Sequence, residues 1–259
     1  MTDSANTYVY AVIPAADADG WPEEVPGIDG PSAPVRTIVE GDLAAVVSDL
    51  APDHIPGRRE DVDNHRAVLG QAIERGTTIP MRFGIVMPDD DAVRERLLER
   101  HGGELGELVD ELDGRVQMTI KAFYADDALL RDVLAANPEL AQESAALSQS
   151  GDPAAQARLV QVGELVSAAV EARRSEVESA LVDQFAGVAE DVQVDPPSSE
   201  RSALNAQLLI RRDRRPELDE KVHELGEALT GVIGFRYVGP LPPFSFTSVS
   251  LEENEEAWA

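Results

Sequence analysis

Apolar residues recur along this chain at two spacings, every second position or every third and fourth, and the switches between them divide it into elements. Tyr8-Val9-Tyr10-Ala11-Val12-Ile13 is a β-branched and aromatic run ended by Pro14, which reads as a strand. The stretch from Ala15 to Pro34 is rich in Gly, Pro and Asp and reads as a loop. Val35–Val39 and Leu43–Val47 read as two strands around the turn Glu40-Gly41-Asp42. From Glu60 to Arg75 the spacing of Val62, His65, Leu69, Ala72 and Ile73 predicts an amphipathic helix, closed by Gly76 as C-cap. In Thr78–Met87, the residues Ile79, Met81, Phe83, Ile85 and Met87 fall on one face of a strand and Pro80, Arg82 and Gly84 on the other. Pro80 places that strand at an edge or at the start of pairing. Helices from Asp91 to Arg100 and Glu104 to Leu112 follow, broken at Gly102-Gly103. The order β-ββ-α-β predicts a sheet with helices on one side.

The pattern then begins again. Val116, Met118, Ile120 and Ala122 alternate with Gln117, Thr119 and Lys121. Helices are predicted from Ala128 to Ala136 and, much longer, from Ala154 to Glu190, where Leu159, Val162, Val166, Val170, Val177, Leu181 and Phe185 form a stripe. Asp195-Pro196-Pro197-Ser198-Ser199 is a loop; Leu204, Ala206, Leu208 and Ile210 alternate with Asn205, Gln207 and Arg211; a charged helix runs from Pro216 to Leu229. A last strand carries Phe235 and Tyr237 on one face and Arg236 and Val238 on the other. The sequence Gly239-Pro240-Leu241-Pro242-Pro243-Phe244-Ser245-Phe246 then stops it, because three prolines remove ladder donors and fix φ. That stretch holds no catalytic group and is too apolar for a loose tail, which suggests a shaped surface or a domain seam. The whole reads as an α+β chain of two ferredoxin-like domains, residues 1–112 and 113–249, the second with a long helix, and an acidic tail at 250–259.

Composition changes the picture in one respect. The chain of 259 residues has 49 acidic against 22 basic residues, a formal charge of −27, and its only lysines are Lys121 and Lys221. The acids are spread through nearly every segment, as expected of a protein from a salty cytosol where the Debye length falls to about 3 Å or less. The charge therefore describes where the chain works, not what it binds. Absence of cysteine excludes disulfides and thiolate zinc sites. With no run of 18 apolar residues and no basic-then-apolar leader, a soluble cytoplasmic protein without membrane insertion is expected.

Candidate chemistry is sparse. His54, His65, His101 and His223 form no metal-binding spacing; His65, on the apolar stripe of its helix, reads as a satisfied half-buried histidine, and His54 and His101 as solvent groups. There is no GxSxG elbow, phosphate loop, dinucleotide fingerprint or calcium loop. No catalytic residue, metal site or cofactor is expected. Nucleic acid is disfavoured because the outward row of the second sheet (Gln117, Thr119, Lys121, Asn205, Gln207, Arg236) offers no aromatic platform. Arg82, opposite the apolar row of its strand and beside Gly84, reads as an arginine solvated on the open sheet face or paired with a nearby acid, with an anchor on a partner-binding face as the functional alternative.

Two segments together resemble a known family. Ile79-Pro80-Met81-Arg82-Phe83-Gly84 and Tyr237–Phe246, with the opening Tyr8–Val12, the hairpin strand Leu43–Ser48, and His65 followed by Val68-Leu69, are similar in content and order to the gas vesicle protein F/L family (GvpF/GvpL). The resemblance covers nearly the whole chain; the acidic composition points to a haloarchaeal member, and the length and extended second domain to the L type. It implies two modified ferredoxin-like domains, no enzymatic activity, and an accessory role in gas vesicle formation. It also implies binding to the shell protein GvpA and other Gvp proteins, and protection of GvpA from early aggregation. The expected contact residues are Arg82, Phe83 and Gly84 together with Pro240, Pro242, Pro243, Phe244 and Phe246; the open face of the second sheet is a further candidate. The competing reading is an enzyme or small-ligand sensor on tandem ferredoxin-like domains, which would need a pocket with convergent polar groups.

Overall fold

The computed structural model describes residues 6–21, 25–149 and 152–247. The chain divides into two compact units, one running to Gln117 and taking back the chain from Gly239, the other Met118–Val238.

The first unit is built on β1 (Asn6–Pro14). The presumed loop after it contains a small hairpin, β2 (Pro26–Gly27) and β3 (Gly30–Pro34). β4 (Arg36–Glu40) and β5 (Leu43–Leu50) form the expected hairpin, with Glu40 opposite Leu43 and Gly41 at φ 58°. Helix α1 (Arg59–Arg75) ends at Gly76 as predicted. The strand expected from Thr78 to Met87 is not continuous. It forms two short pieces, β6 (Ile79–Pro80) and β7 (Val86–Met87), both antiparallel to β1. Pro80 pairs with Ala11 and Val86 with Tyr8; between them the Met81 N–H still bonds the Tyr10 carbonyl and the Ile85 carbonyl accepts the Val9 N–H, so Arg82-Phe83-Gly84 is the part that leaves the ladder. The sheet order is β4-β5-β1-β6, with β7 also on β1.

Helix α2 (Asp90–Ala92) continues into a π-helical stretch, Val93–Glu99, and α3 (Gly102–Leu112) takes in the glycine pair that was expected to separate the two helices. These helices correct the one-sided arrangement. Successive residues Tyr8 to Val12 and Ala44 to Val47 are all fully buried, which requires cover on both faces. Tyr8, Tyr10, Ala44 and Val46 pack with Val68 and Leu69 of α1. Thr7, pointing the other way, hydrogen-bonds Asp90 at the start of α2, and Val93, Leu97 and Leu105 are buried.

His54 is also not a solvent group. Its side chain, 11% exposed, lies between Asp29 of the β2–β3 turn and Asp61 of α1, with Nε2 3.2 Å from Asp61. Asp61 further accepts the Gly57 and Arg58 N–H groups, and Asp29 the Ala51 N–H, so the three residues tie the hairpin to the entry of α1. The bond to Asp29 raises the His54 pKa; burial opposes this and Asp61 reinforces it. Asp29 is held below the usual carboxylate range by the same bond. For Asp61 burial works upward, but the two N–H donors and His54 outweigh it and the net shift is down.

The second unit follows β8 (Arg115–Tyr124), α4 (Ala128–Ala136), α5 (Pro138–Ser148), α6 (Pro153–Phe185), β9 (Asp191–Val194), β10 (Ser202–Arg211), α7 (Arg215–Ala228) and β11 (Ile233–Leu241). Its sheet order, β11-β8-β10-β9, is consistent with the ferredoxin-like arrangement expected from the βαβ pattern. Two elements escaped the sequence reading. α5 was unassigned because none of its described side chains is buried, so it has no core stripe. α6 ends at Phe185, five residues earlier than predicted, leaving room for the exposed edge strand β9. Of the predicted α6 stripe only Val162, Leu181 and Phe185 are buried. The row expected to face outward is largely covered, with Gln117, Asn205 and Gln207 buried; Thr119 donates to Gln207 Oε1 and Gln207 to Asp195, and Arg236 lies over the Phe123 ring.

Candidate functional site

The first unit carries a four-ring cluster that reaches the surface. Tyr8 and Tyr10 of β1 have ring centroids 4.9 Å apart, and His65 of α1 lies 5.7 Å from Tyr8 and 5.6 Å from Tyr10. Phe83 closes the cluster edge-on to His65 at 5.5 Å. The Tyr8 hydroxyl shares a hydrogen bond with His65 Nδ1 at 3.0 Å and accepts the Gly84 N–H at 3.0 Å. Tyr10 is held at a bulge in β1; its hydroxyl accepts the Ile28 N–H and bonds Ser48. Burial pushes the Tyr10 phenol up to about 12 and the Tyr8 phenol higher still. Burial lowers the His65 pKa to about 4, with the Met81 backbone opposing and the nearby Arg66 charge assisting. At neutral pH all three groups are therefore uncharged.

Gly84 explains why Phe83 emerges where it does. Its φ of 95° is open to glycine and strained for other residues, and it turns the chain back so that Val9 N–H meets the Ile85 carbonyl at 3.0 Å. Arg82 and Phe83 sit on the outer limb of that turn, Phe83 with 37% of its surface exposed.

The second signature segment arrives beside it. The Gly239–Pro240 peptide is cis, and Pro240 is half-buried within the edge strand β11, the position in a sheet where proline is tolerated. Pro242 and Pro243 are buried, so they shape the chain and offer no contact surface of their own. A short 3-10 turn, Phe244–Phe246, follows, fixed by a hydrogen bond from the Ser245 N–H to Gln117 Oε1 at 3.0 Å. Phe246 is half-buried, whereas Phe244 is 42% exposed.

Arg82, Phe83 and Phe244 line one groove of about 320 Å³, completed by Val62, His65, Arg66 and Leu69 of α1. Thus three of the eight expected contact residues meet, Gly84 shapes their turn, and the prolines and Phe246 stand behind or beside them. The α1 wall was not foreseen as part of a site. Its signal was present in Val62, His65 and Leu69, which share one helix face, but that face reads equally as ordinary core. Chemically the groove has an apolar floor and a cationic rim. The His65 Nδ1 is already engaged by Tyr8, and neither ring carries charge, so the site holds no activated nucleophile or base. A second depression, about 420 Å³ beside the β4–β5 turn, is edged by Glu40, Asp42, Glu99 and Asp110 without a basic residue. Among the described residues no cluster of His, Asp and Glu could hold a metal ion, and no helix is long and apolar enough to cross a membrane.

Residues 6–248 match the family model described as gas vesicle synthesis protein GvpL/GvpF. The chain is 39% identical over 242 residues to gas vesicle protein F of Streptomyces sp. (strain CB03234), covering 93% of this chain and 99% of that one. It is 29% identical over 286 residues to gas vesicle protein L of the same strain, covering 99% and 98%. The crystal structure of GvpF from Anabaena sp. PCC7120 superposes with a TM-score of 0.82 over 95% of this chain and all of that one, at 22% identity, a likeness of fold. None of these names describes an enzyme, in keeping with the lack of a catalytic constellation in the sequence. With a family match across nearly every described residue and a relative of nearly equal length at 39% identity, the chain belongs to the GvpL/GvpF family of gas vesicle synthesis proteins.

Proposed function

We propose that this protein is an accessory factor of gas vesicle assembly that binds the shell protein GvpA and other Gvp proteins, and that it keeps GvpA from aggregating during nucleation. Family membership over residues 6–248 is the observation that carries the accessory role. The binding role is supported by the groove in which the two signature segments meet, with two half-exposed phenylalanines and two arginines around it. A small, very apolar shell subunit exposes edges and patches that self-associate in water, and transient cover would meter that process. Arg82, Phe83 and Phe244 make the contact in this reading; Gly84, Pro240, Pro242, Pro243 and Phe246 hold them in place.

The working location is the cytoplasm, at the growing vesicle, and the dispersed acidic charge supports a salty one such as a haloarchaeal cytosol. Length and the extended second unit support the L type; the two Streptomyces relatives weigh towards F, at 39% against 29% identity. The test is capture of GvpA by the purified full chain at molar salt, together with deletion of the gene. Capture and loss of vesicles are expected. Normal vesicles in the deletion strain, or a chain that leaves GvpA aggregation unchanged, would overturn the proposal.

A further inference from the structure

We propose that the groove of α1, the Phe83 turn and Phe244 receives one large apolar side chain from a protein segment that carries carboxylates beside that side chain. This deepens the reading above and rests on it, by stating what a partner must present. Phe83 and Phe244 are the only aromatic residues among the exposed large hydrophobics of the described chain, and they come from segments far apart in sequence to line one depression. Both backbones are fixed beforehand, Phe83 through the bond from Gly84 to Tyr8 and Phe244 through the bond from Ser245 to Gln117. A preformed site of that kind loses little ordering entropy when it is filled. Its volume, about 320 Å³, lies at the small end of ligand pockets, and the only polar atoms on its floor are those of His65, with Nδ1 facing Tyr8 and Nε2 buried from solvent, so no convergent polar set is there to orient a metabolite. An inserted side chain fits it better than a polar ligand does.

The rim selects what stands next to that side chain. Arg66 and Arg82 are exposed, and neither has an ion pair or hydrogen bond among the described residues. Elsewhere several guanidiniums are committed to acids: Arg36 holds both Asp49 and Asp90, and Arg158, Arg173 and Arg214 each hold a carboxylate. Two uncommitted guanidiniums flanking an apolar groove favour a segment whose acids fall on either side of its anchor, and they work against a basic one. The surrounding negative charge of the chain adds no attraction, so the preference is local to the groove.

The test uses the full chain and fluorescein-labelled peptides of roughly twelve residues, each with one central phenylalanine. The flanking positions are glutamate in one peptide, glutamine in the second and lysine in the third. Fluorescence anisotropy at about 0.15 M salt keeps the rim charges from being fully screened. The glutamate peptide should bind about fivefold more tightly than the glutamine one, as two partly exposed charge pairs allow, with the lysine peptide weakest. Phe83→Ala and Phe244→Ala should each weaken it about tenfold, as loss of an aromatic anchor does. Arg66→Glu with Arg82→Glu, both at exposed positions, should reverse the order of the glutamate and lysine peptides. Equal binding of all three peptides, or no saturable binding, overturns the proposal. If the chain dimerises and the peptides act only by dissociating the dimer, a second copy is the occupant and the proposal also falls. None of these outcomes depends on GvpA: failure here with GvpA capture intact removes the groove and leaves the assembly role, and the converse removes the assembly role alone.

Discussion

Tyr8 and Gly84, separated by 76 positions in the chain, are joined by a single hydrogen bond from the Gly84 N–H to the Tyr8 hydroxyl. That bond couples the first strand to the turn that presents Arg82 and Phe83, and the same hydroxyl continues to His65 on α1. One oxygen thus joins three elements of the first unit.

Tyr8→Phe keeps the ring contacts and removes only that oxygen, leaving a buried His65 nitrogen and the Gly84 N–H without their partner. The expected cost is about 1–3 kcal/mol, read from the midpoint of urea unfolding. A variant as stable as the parent would show that the hydroxyl does not hold the turn.

Two glycine substitutions should separate strain from collision. At Gly84 a Cβ meets open space, so Gly84→Ala costs only the backbone strain of a positive φ, roughly 1–2 kcal/mol. At Gly27 the Cβ would fall 2.2 Å from the Ala33 carbonyl oxygen and 2.7 Å from the Ser48 Cβ. Gly27→Ala must displace the β2–β3 hairpin and should cost more, about 3 kcal/mol. Denaturant unfolding of the pair checks the order; a larger loss at Gly84 would refute it.

The continuous apolar runs around Tyr8 and Val46 and the alternating ones around Ile120 and Leu208 predicted the central strands, because both patterns are ones that a strand's burial leaves in the sequence. The groove was only partly legible. Arg82 and Phe83 were assigned to opposite faces of one strand, and they leave the ladder because the register on β1 does not hold them there. No local pattern reports that register, since it is set by residues far away in the chain. Phe244 joins them through a chain reversal that proline content suggests without directing. His54 was misjudged for the same reason: its two carboxylate partners, Asp29 and Asp61, come from different segments, and its own surroundings look like an ordinary loop.

Net charge leads to a prediction about salt. With a formal charge of −27, self-repulsion opposes the compact state, and screening relieves it. The melting temperature should rise by at least several degrees between about 0.1 M and 2 M potassium chloride, as the Debye length contracts from about 10 Å to below 3 Å. Scanning calorimetry across that range is sufficient, and a flat or falling curve would remove the case for a high-salt habitat.

His65 makes stability fall on mild acidification. Its pKa is lowered to about 4 in the folded chain against 6.5 when unfolded, so the unfolded state takes up the proton first as pH falls. Its contribution is complete above pH 6.5 and is lost progressively down to about pH 4. For a side chain this buried the loss approaches about 3 kcal/mol. The Asp29–His54–Asp61 cluster acts in other windows. The raised His54 contributes fully below 6.5 and loses its contribution as pH rises through the folded value; the lowered carboxylates lose theirs only as pH falls below 3.8. Between pH 6.5 and 4 the slope therefore belongs to His65 among these groups. His65→Gln, neutral at every pH, should be less stable at pH 7 yet show a much flatter profile across that interval, whereas His54→Gln should keep the acid slope and lose stability most below pH 6.5. Urea midpoints at half-unit pH steps distinguish the two, and an unchanged acid slope in His65→Gln would assign the effect to other groups.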